Sequence, residues 1–348
     1  MKIGLIGYPL SGKTSVFNTL TGLHARVDSF HSSGKEANVG TIKVPDQRLE
    51  RLEEIYRSGK VVHAEINFVD IAGIMTTGGS FEAKTLSLMR MVDALTYVIR
   101  DFRDETVSHP RDRIDPVRDI EGLDDELKLA DLIVVENRQT RIAKEGKKGS
   151  PEYALLERCR VALEEGTPLK DIQLAAEELK TLTGFDFLSL KPRLILLNTD
   201  ELNMRGDPAV AERFEDVVSF CAKVESEIAE LDSPEEQQEF LEAMEISEPA
   251  REKFIHASYR LLNLISFLTI GKDEVRAWTI TRGTDALRAA GKVHSDIERG
   301  FIRAETVAYD DFIAEPSMVR MKELGKVRLE GKTYVVADGD MIDFRFNV

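Results

Sequence analysis

The run Gly7-Tyr8-Pro9-Leu10-Ser11-Gly12-Lys13-Thr14 fits G-x-x-x-x-G-K-[ST], the spacing of a phosphate-binding loop. Its glycines let backbone amides turn inward around phosphate oxygens, and the helix that follows adds favourable partial charge at its N-terminus. Leu10, Ser11, Gly12, Lys13, Thr14 and Ser15 are therefore the expected phosphate contacts, with the Lys13 ammonium reaching the β and γ phosphates. The Thr14 hydroxyl and the Asp70 carboxylate are the expected Mg²⁺ ligands. Asp70-Ile71-Ala72-Gly73 reads D-x-x-G, which puts the Gly73 amide at the γ-phosphate. Ile74 follows, where a glutamine would orient an attacking water; isoleucine has no group for that task. Asn198-Thr199-Asp200-Glu201 stands where guanine-reading loops carry N-K-x-D. Thr199 replaces the lysine, and Glu201 replaces the aspartate with a longer carboxylate that sits wrongly for guanine. Adenine, with no N1–H or 2-amino group, is the expected base. Cys221-Ala222-Lys223 resembles the S-A-K base-contacting loop, which adds Ala222 and Lys223 to the base site.

These groups need a frame. Lys2–Ile6 reads as a strand, followed by the Gly-rich turn and a helix over Ser15–Thr21 with Val16, Phe17 and Leu20 at helical spacing. Glu65–Asp70, Asp93–Ile99, Arg193–Leu197 and Val217–Cys221 read as four further strands, short apolar runs of the kind buried in parallel sheets. Strands alternating with helices indicate an α/β fold. The charged, helical stretch 119–186 interrupts that rhythm around the turn Gly146–Pro151. It reads as an inserted hairpin in which Leu127, Leu129, Leu132, Ile133 and Val134 face Leu155, Leu156, Val161 and Leu163. Residues 1–118 and 187–262 then form the nucleotide domain, and 263–348 a small α+β domain. In that last domain Val275–Ile280 alternates like a strand, and Lys332–Val336 and Met341–Phe346 read as two strands around an Asp-Gly turn.

Composition narrows the class. The chain has 348 residues, 42% of them hydrophobic and 31% charged, and only two cysteines, neither in a C-x-x-C pair. That argues against a disulfide frame or a zinc site and suits a reducing cytoplasm. No apolar run approaches the ~20 residues needed to cross a bilayer, and the Gly-broken start does not read as a signal peptide. A net charge of −15 argues against broad nucleic-acid binding by counterion release. From Asn263 onward, thirteen Lys/Arg stand against fourteen Asp/Glu, so the excess acid lies upstream.

The chain resembles the YchF/Obg-like ATPase family over almost its whole length. The marks are the N-x-x-E variant, Val44–Leu49, Val69–Gly73, Cys221–Glu225, Val275–Ile280, Gly300–Glu305 and the terminal Phe344-Arg345-Phe346-Asn347-Val348. The resemblance implies a Ras-like P-loop NTPase domain, an inserted helical hairpin (coiled coil) and a C-terminal ubiquitin-like (β-grasp) TGS domain. It also implies a preference for ATP over GTP and binding to ribosomes, and it places the family's catalytic histidine on His109. The sequence departs from the family at three places. Leu10 and Ser11 replace an Asn-Val pair, the Mg²⁺-binding threonine of the first switch falls on Gly34 beside Ser32 and Ser33, and the second switch is shortened to Met75–Gly79.

The expected activity is slow ATP hydrolysis with Mg²⁺, in which nucleotide state controls docking on ribosomal particles or structured RNA. Arg276, Arg282, Arg288, Lys292, Arg299 and Arg303 are expected on one sheet face, with Lys147-Lys148 at the hairpin tip as a second contact. Two rival readings are a GTPase with altered base recognition and a scaffold that binds nucleotide without hydrolysing it.

Overall fold

A computed structural model of the chain describes residues 1–23, 37–72, 81–231, 233–244 and 246–347. Gly73, Ile74, Ser32, Ser33, Gly34 and the Met75–Gly79 run lie outside the described residues. Two compact units are present: Met1–Thr41 with Asn67–Ala257, and Ile42–Ile66 with Ser258–Val348.

The first unit is built on a six-stranded sheet. In chain order its strands are β1 (Lys2–Ile6), β2 (Asn38–Lys43), β4 (Glu65–Asp70), β5 (Ala94–Arg100), β6 (Arg193–Asn198) and β7 (Val217–Phe220), arranged β2-β4-β1-β5-β6-β7. The pairs β1–β4, β1–β5, β5–β6 and β6–β7 are parallel. All seven residues of β5 are buried, as a central parallel strand requires. The edge strand β2, unread in the sequence, alternates buried and exposed positions and carries little apolar signal. Helix α1 (Lys13–Thr21) follows the P-loop, with Val16, Phe17 and Leu20 buried. Helix α3 (Ala83–Arg90) precedes β5, and α2 (Gln47–Tyr56) belongs to the second unit.

The insertion begins with α4 (Pro116–Lys144), which starts cleanly because Pro116 sits in its first turn and the Asp115 side chain accepts from Arg118 N. Ile120, Leu123, Leu127 and Ala130 of α4 join the sheet core beside Leu95, Tyr97, Ile99, Ile195 and Leu197. Its outer half packs Val135 and Ile142 against Leu155, Leu156, Cys159 and Leu163 of α5 (Pro151–Glu164). The expected facing set is corrected accordingly. Leu129, Ile133 and Val161 are exposed (47%, 51% and 39%), and Leu127 belongs to the sheet core. The reason is helical period: the buried stripe runs through 120, 123, 127, 130, 135, 139 and 142, and 129 and 133 fall on the opposite side.

The second unit carries its own sheet. Strand β8 (Leu264–Ile270) forms an antiparallel hairpin with β9 (Val275–Thr281). A helix at Ala286–Val293 crosses over to β10 (Phe301–Ala308), which pairs antiparallel with β11 (Arg328–Glu330) and β12 (Asp340–Phe346). β12 returns parallel to β8, giving the order β11-β10-β12-β8-β9, the ubiquitin-like β-grasp arrangement. A short strand from upstream, β3 (Val61–Val62), lengthens the sheet by pairing parallel with β9.

Three sequence readings differ from this unit. Lys332–Val336 is not a strand; it makes turns and a single bridge between Asp285 and Val335. The Asp-Gly segment is tied down instead, with Asp338 accepting from Ser266 N at 2.8 Å and pairing with Arg48 at 3.1 Å. Residues 42–66, read as part of the nucleotide domain, are grouped here with the second unit, where Tyr56 stacks on Phe312 at 5.7 Å. The six basic residues do not share one sheet face. Arg276 and Arg303 stand on strands, Arg288 and Lys292 on the crossover helix, Arg299 on the short helix Ser295–Arg299, and Arg282 in the turn after β9.

No helix among the described residues is long and apolar enough to cross a membrane.

Candidate functional site: a phosphate loop, a base edge and a held histidine

The carboxyl ends of β1, β4, β5 and β6 carry the candidate site. The chain leaves β1 through Gly7, where a Cβ would lie 2.3 Å from Val98 O, so any side chain would collide with β5. Gly12 adopts φ 86°, and a Cβ there would lie 2.1 Å from Asn198 Nδ2. Both motif glycines are thus required by close approach and, at Gly12, by left-handed backbone. Leu10 also stands at φ 63°, a conformation that costs a branched side chain of order 1 kcal/mol. α1 begins with Gly12 as its cap, without a side-chain cap and without an acid in its first turn. By contrast α2, α4 and α5 are capped by Asp46, Asp115 and Ser150. The first amides of α1 are therefore left for an outside acceptor.

Lys13 lies buried across the loop, its Nζ donating to Gly7 O at 2.9 Å and Tyr8 O at 3.0 Å. Burial pulls its ammonium down to about 8, opposed by the charge of Asp70. An anion placed on the loop would add to the counter-charge that Asp70 only partly supplies. Thr14 Oγ1 donates to Asp70 Oδ2 at 3.1 Å, and Asn38 Nδ2 approaches the same oxygen at 3.4 Å. The other oxygen, Asp70 Oδ1, is buried with no hydrogen-bond partner among the described residues, as is the Ser11 hydroxyl. A hydroxyl beside a carboxylate with one bare oxygen is a hard-oxygen set that fits Mg²⁺, which keeps most of its shell as water and phosphate.

At the base end, Asn198 Nδ2 donates to Ser11 O at 3.0 Å, tying the end of β6 to the phosphate loop. Thr199 is buried and its Oγ1 has no hydrogen-bond partner among the described residues. Asp200 turns away, accepting from Leu202 N and Asn203 N at 3.0 Å and Arg103 N at 3.1 Å. Glu201 pairs with Lys223 at 2.7 Å. Thr19 of α1 donates to Ala222 O at 3.5 Å, which brings the Cys221-Ala222-Lys223 loop alongside. Asn198, Glu201, Ala222 and Lys223 are thus gathered with the loop. The Ser15 carbonyl is committed within α1 to Thr19. Gly73 is outside the described residues.

His109 lies on the loop between β5 and α4, and its side chain is only 4% exposed, not solvated. Its Nδ1 accepts from Arg111 N at 3.1 Å, and Nε2 sits 3.0 Å from Asp119 Oδ2. The proton is thereby placed on Nε2, facing Asp119. Burial draws the imidazole below its usual range; Asp119 opposes this, and Arg100 and Arg118 reinforce it. Asp119 also accepts from Arg118 at 2.9 Å and 3.0 Å. Arg111 donates to Tyr8 Oη at 3.2 Å and lies over its ring, so the histidine loop touches the phosphate loop. The sequence reading missed Arg100, Arg111, Asp119 and Tyr8; the one signal available was the density of Arg and Asp after β5.

Comparison with known proteins agrees with this architecture. Residues 2–138 match a family model described as a 50S ribosome-binding GTPase, and 264–347 match one named YchF-GTPase_C and described as a protein of unknown function. The chain is 42% identical to the "Ribosome-binding ATPase YchF" of Bacillus subtilis, with 99% of each chain covered. It is 38% identical to the protein of that name in Escherichia coli O157:H7, over all of this chain and 99% of the relative. A solved structure titled as the Schizosaccharomyces pombe YchF GTPase superposes with a TM-score of 0.87 at 28% identity, covering 99% of this chain and 97% of that one. With a full-length match at such identity, and with the phosphate loop, helical insertion and β-grasp unit all in place, the chain belongs to the YchF family.

Proposed function

We propose that this protein binds ATP with Mg²⁺ at the Gly7–Thr14 loop, hydrolyses it slowly, and docks on ribosomal particles according to nucleotide state. The observation that carries the reading is the set of buried polar groups around one loop: Lys13, held only by main-chain carbonyls and the field of Asp70, and Ser11 Oγ, Asp70 Oδ1 and Thr199 Oγ1, which have no hydrogen-bond partner among the described residues. Buried polar groups are normally paired, and a bound nucleotide would pair these. Lys13 would move from the carbonyls of Gly7 and Tyr8 to the β and γ phosphates. Thr14 and Asp70 would hold Mg²⁺, which neutralises charge developing on those phosphates. The amides from Leu10 to Ser15, joined by Gly73, would cradle the oxygens.

The names of the relatives differ on the nucleotide, ATPase in the curated proteins and GTPase in the yeast structure. Residue chemistry favours adenine. Guanine needs a free carboxylate for its N1–H and 2-amino group, and Glu201 is both one methylene longer than the usual aspartate and already paired with Lys223. Asn198, Thr199, Ala222 and Lys223 complete the base edge. Competition of ATP and GTP for one fluorescent nucleotide tests this; tighter binding of GTP would overturn it.

For turnover, His109 is the group offered to the attacking water, since Ile74 has none. As it stands, both ring nitrogens are engaged, so His109 acts only after leaving Asp119. Docking on the ribosome follows the names of the relatives, and a cytoplasmic location goes with that reading. Arg276, Arg288, Arg299 and Arg303 are paired with Glu274, Asp285, Asp296 and Glu305, whereas Arg282, Lys292 and Lys148 have no acidic partner among the described residues. Those three are the first candidates for phosphate contacts. Co-sedimentation with ribosomes that weakens with salt is expected; none with ATP, ADP or empty protein would remove this output.

A further inference from the structure

Arg100, the last residue of β5, is 3% exposed and has no ion-pair partner among the described residues. A buried guanidinium is costly unless its donors are hydrogen-bonded, and the nearby Asp104 charge offsets only part of the burial. Here they go to backbone. Nε donates to Phe102 O at 3.3 Å, one terminal nitrogen to Ser108 O at 3.4 Å, and the other to Asp104 O at 3.2 Å and Val107 O at 2.9 Å. The guanidinium also lies 4.5 Å from the centroid of the Phe102 ring. One planar fork therefore gathers four carbonyls from the 102–108 loop, and the last of them belongs to the residue before His109. The loop has few other ties: Asp104 accepts from Thr106 N at 2.9 Å, and Arg103 N donates to Asp200 at 3.1 Å.

We propose that Arg100 is a positioning residue for His109: it folds the 102–108 loop around its guanidinium and so sets where the imidazole stands at the end of β5. This rests on reading His109 as the group that serves the attacking water. A lysine would keep the charge but not the fork, because an ammonium cannot direct planar donors at carbonyls on several sides. The groups facing His109 are Asp119 and Arg118 from α4, Arg100 from β5 and the Arg111 amide from its own loop. Removing the Arg100 charge removes one of the two cations that hold the imidazole below its usual range.

The test uses full-length Arg100→Gln, Arg100→Lys, His109→Ala and the double variant His109→Ala/Arg100→Gln. Single-turnover ATP hydrolysis by Arg100→Gln should fall at least about tenfold with ATP affinity within about threefold, the pattern of a group that acts on the transition state. Arg100→Lys should recover part of the rate. The double variant should be no slower than His109→Ala alone, whereas additive losses would mean that Arg100 acts elsewhere and would overturn the proposal. The acid limb of the rate should move to higher pH in Arg100→Gln and stay in place in Arg100→Lys; a limb that moves in neither or in both counts against it. Hydrogen exchange at the 102–109 amides gives a second, independent readout and should quicken in Arg100→Gln. If His109→Ala turns over like wild type, the catalytic reading of His109 is what fails. Exchange then decides alone whether Arg100 holds the loop, and unchanged exchange overturns that too. Should Arg100→Gln fail to fold, Arg100→Lys carries the same comparisons with smaller effects.

Discussion

Two buried carboxylates on the same unit are treated in opposite ways. Asp131, at the root of the helical insertion, accepts from Leu188 N at 2.9 Å and Ser189 N at 2.7 Å and pairs with Arg90 at 3.2 Å. Both of its oxygens are satisfied, and Arg90 goes on to the carbonyls of Asp186 and Ala130. Asp70, at the end of β4, has one oxygen shared by Thr14 and Asn38 and the other bare. Nearby stand a buried lysine held by two main-chain carbonyls and a leucine in left-handed backbone. A carboxylate that holds the fold together is fully paired; an incomplete one is what a ligand site would require, and the fold bears that cost. The contrast separates substitutions that should cost stability from those that should cost binding.

Lys13→Ala gives the largest effect expected on binding. Affinity for di- and triphosphates should fall at least about a hundredfold, while the melting temperature of the empty protein holds or rises, because a buried charge only partly offset by Asp70 has gone. Titration calorimetry beside a thermal melt measures both; full retention of binding would sink the phosphate-loop assignment. Asp131→Ala should do the reverse. Leaving Arg90 and two amides unpaired should cost about 3–5 kcal/mol of stability, with nucleotide affinity of the folded fraction little changed. Urea unfolding checks it, and a loss under about 1 kcal/mol would erase the contrast with Asp70.

At the base edge the effect is smaller. Wild type should prefer ATP to GTP by at least about tenfold, and Thr199→Lys with Glu201→Asp should narrow or reverse that ratio in competition binding. An unchanged ratio would move base selection away from Glu201. The smallest effect belongs to the strained loop position. Leu10→Asn places there a residue that tolerates left-handed backbone, so the empty protein should gain about 1 kcal/mol. A neutral or destabilising result would mean that packing of the Leu10 side chain already offsets the strain.

Much of the first unit was legible because its signals are local. β1 and β4 run over the residues read from the sequence, since an apolar run stops at a glycine in one case and at an aspartate in the other. β2 was not legible, because half of its residues face outward. Lys332–Val336 looked like a strand by composition, yet the edge it would need is not offered: β12 is already paired with β8 and β10. Leu129, Ile133 and Val161 were counted as packed because apolar content alone does not say which face of a helix meets its neighbour. At the site, the motifs proposed for phosphate and base could be read from spacing, and the structure brings Asn198 and Ala222 beside the Gly7–Thr14 segment. The residues around His109 could not, because Arg100 binds main-chain carbonyls, which look the same in every sequence.

Sequence alone determined the local form of the proposed phosphate loop. Gly7, Gly12, Lys13 and Thr14 sit within one strand–turn–helix, so their order along the chain is already their geometry. Tertiary structure decided what lies beside them. It brought Asn198 across 187 positions to Ser11, close enough that only glycine fits at position 12. It set Asp119 against His109 and grouped residues 42–66 with the C-terminal sheet rather than the nucleotide unit. Such pairings depend on which buried surfaces and unpaired polar groups find each other once the sheet is built, and spacing along the chain carries no record of that.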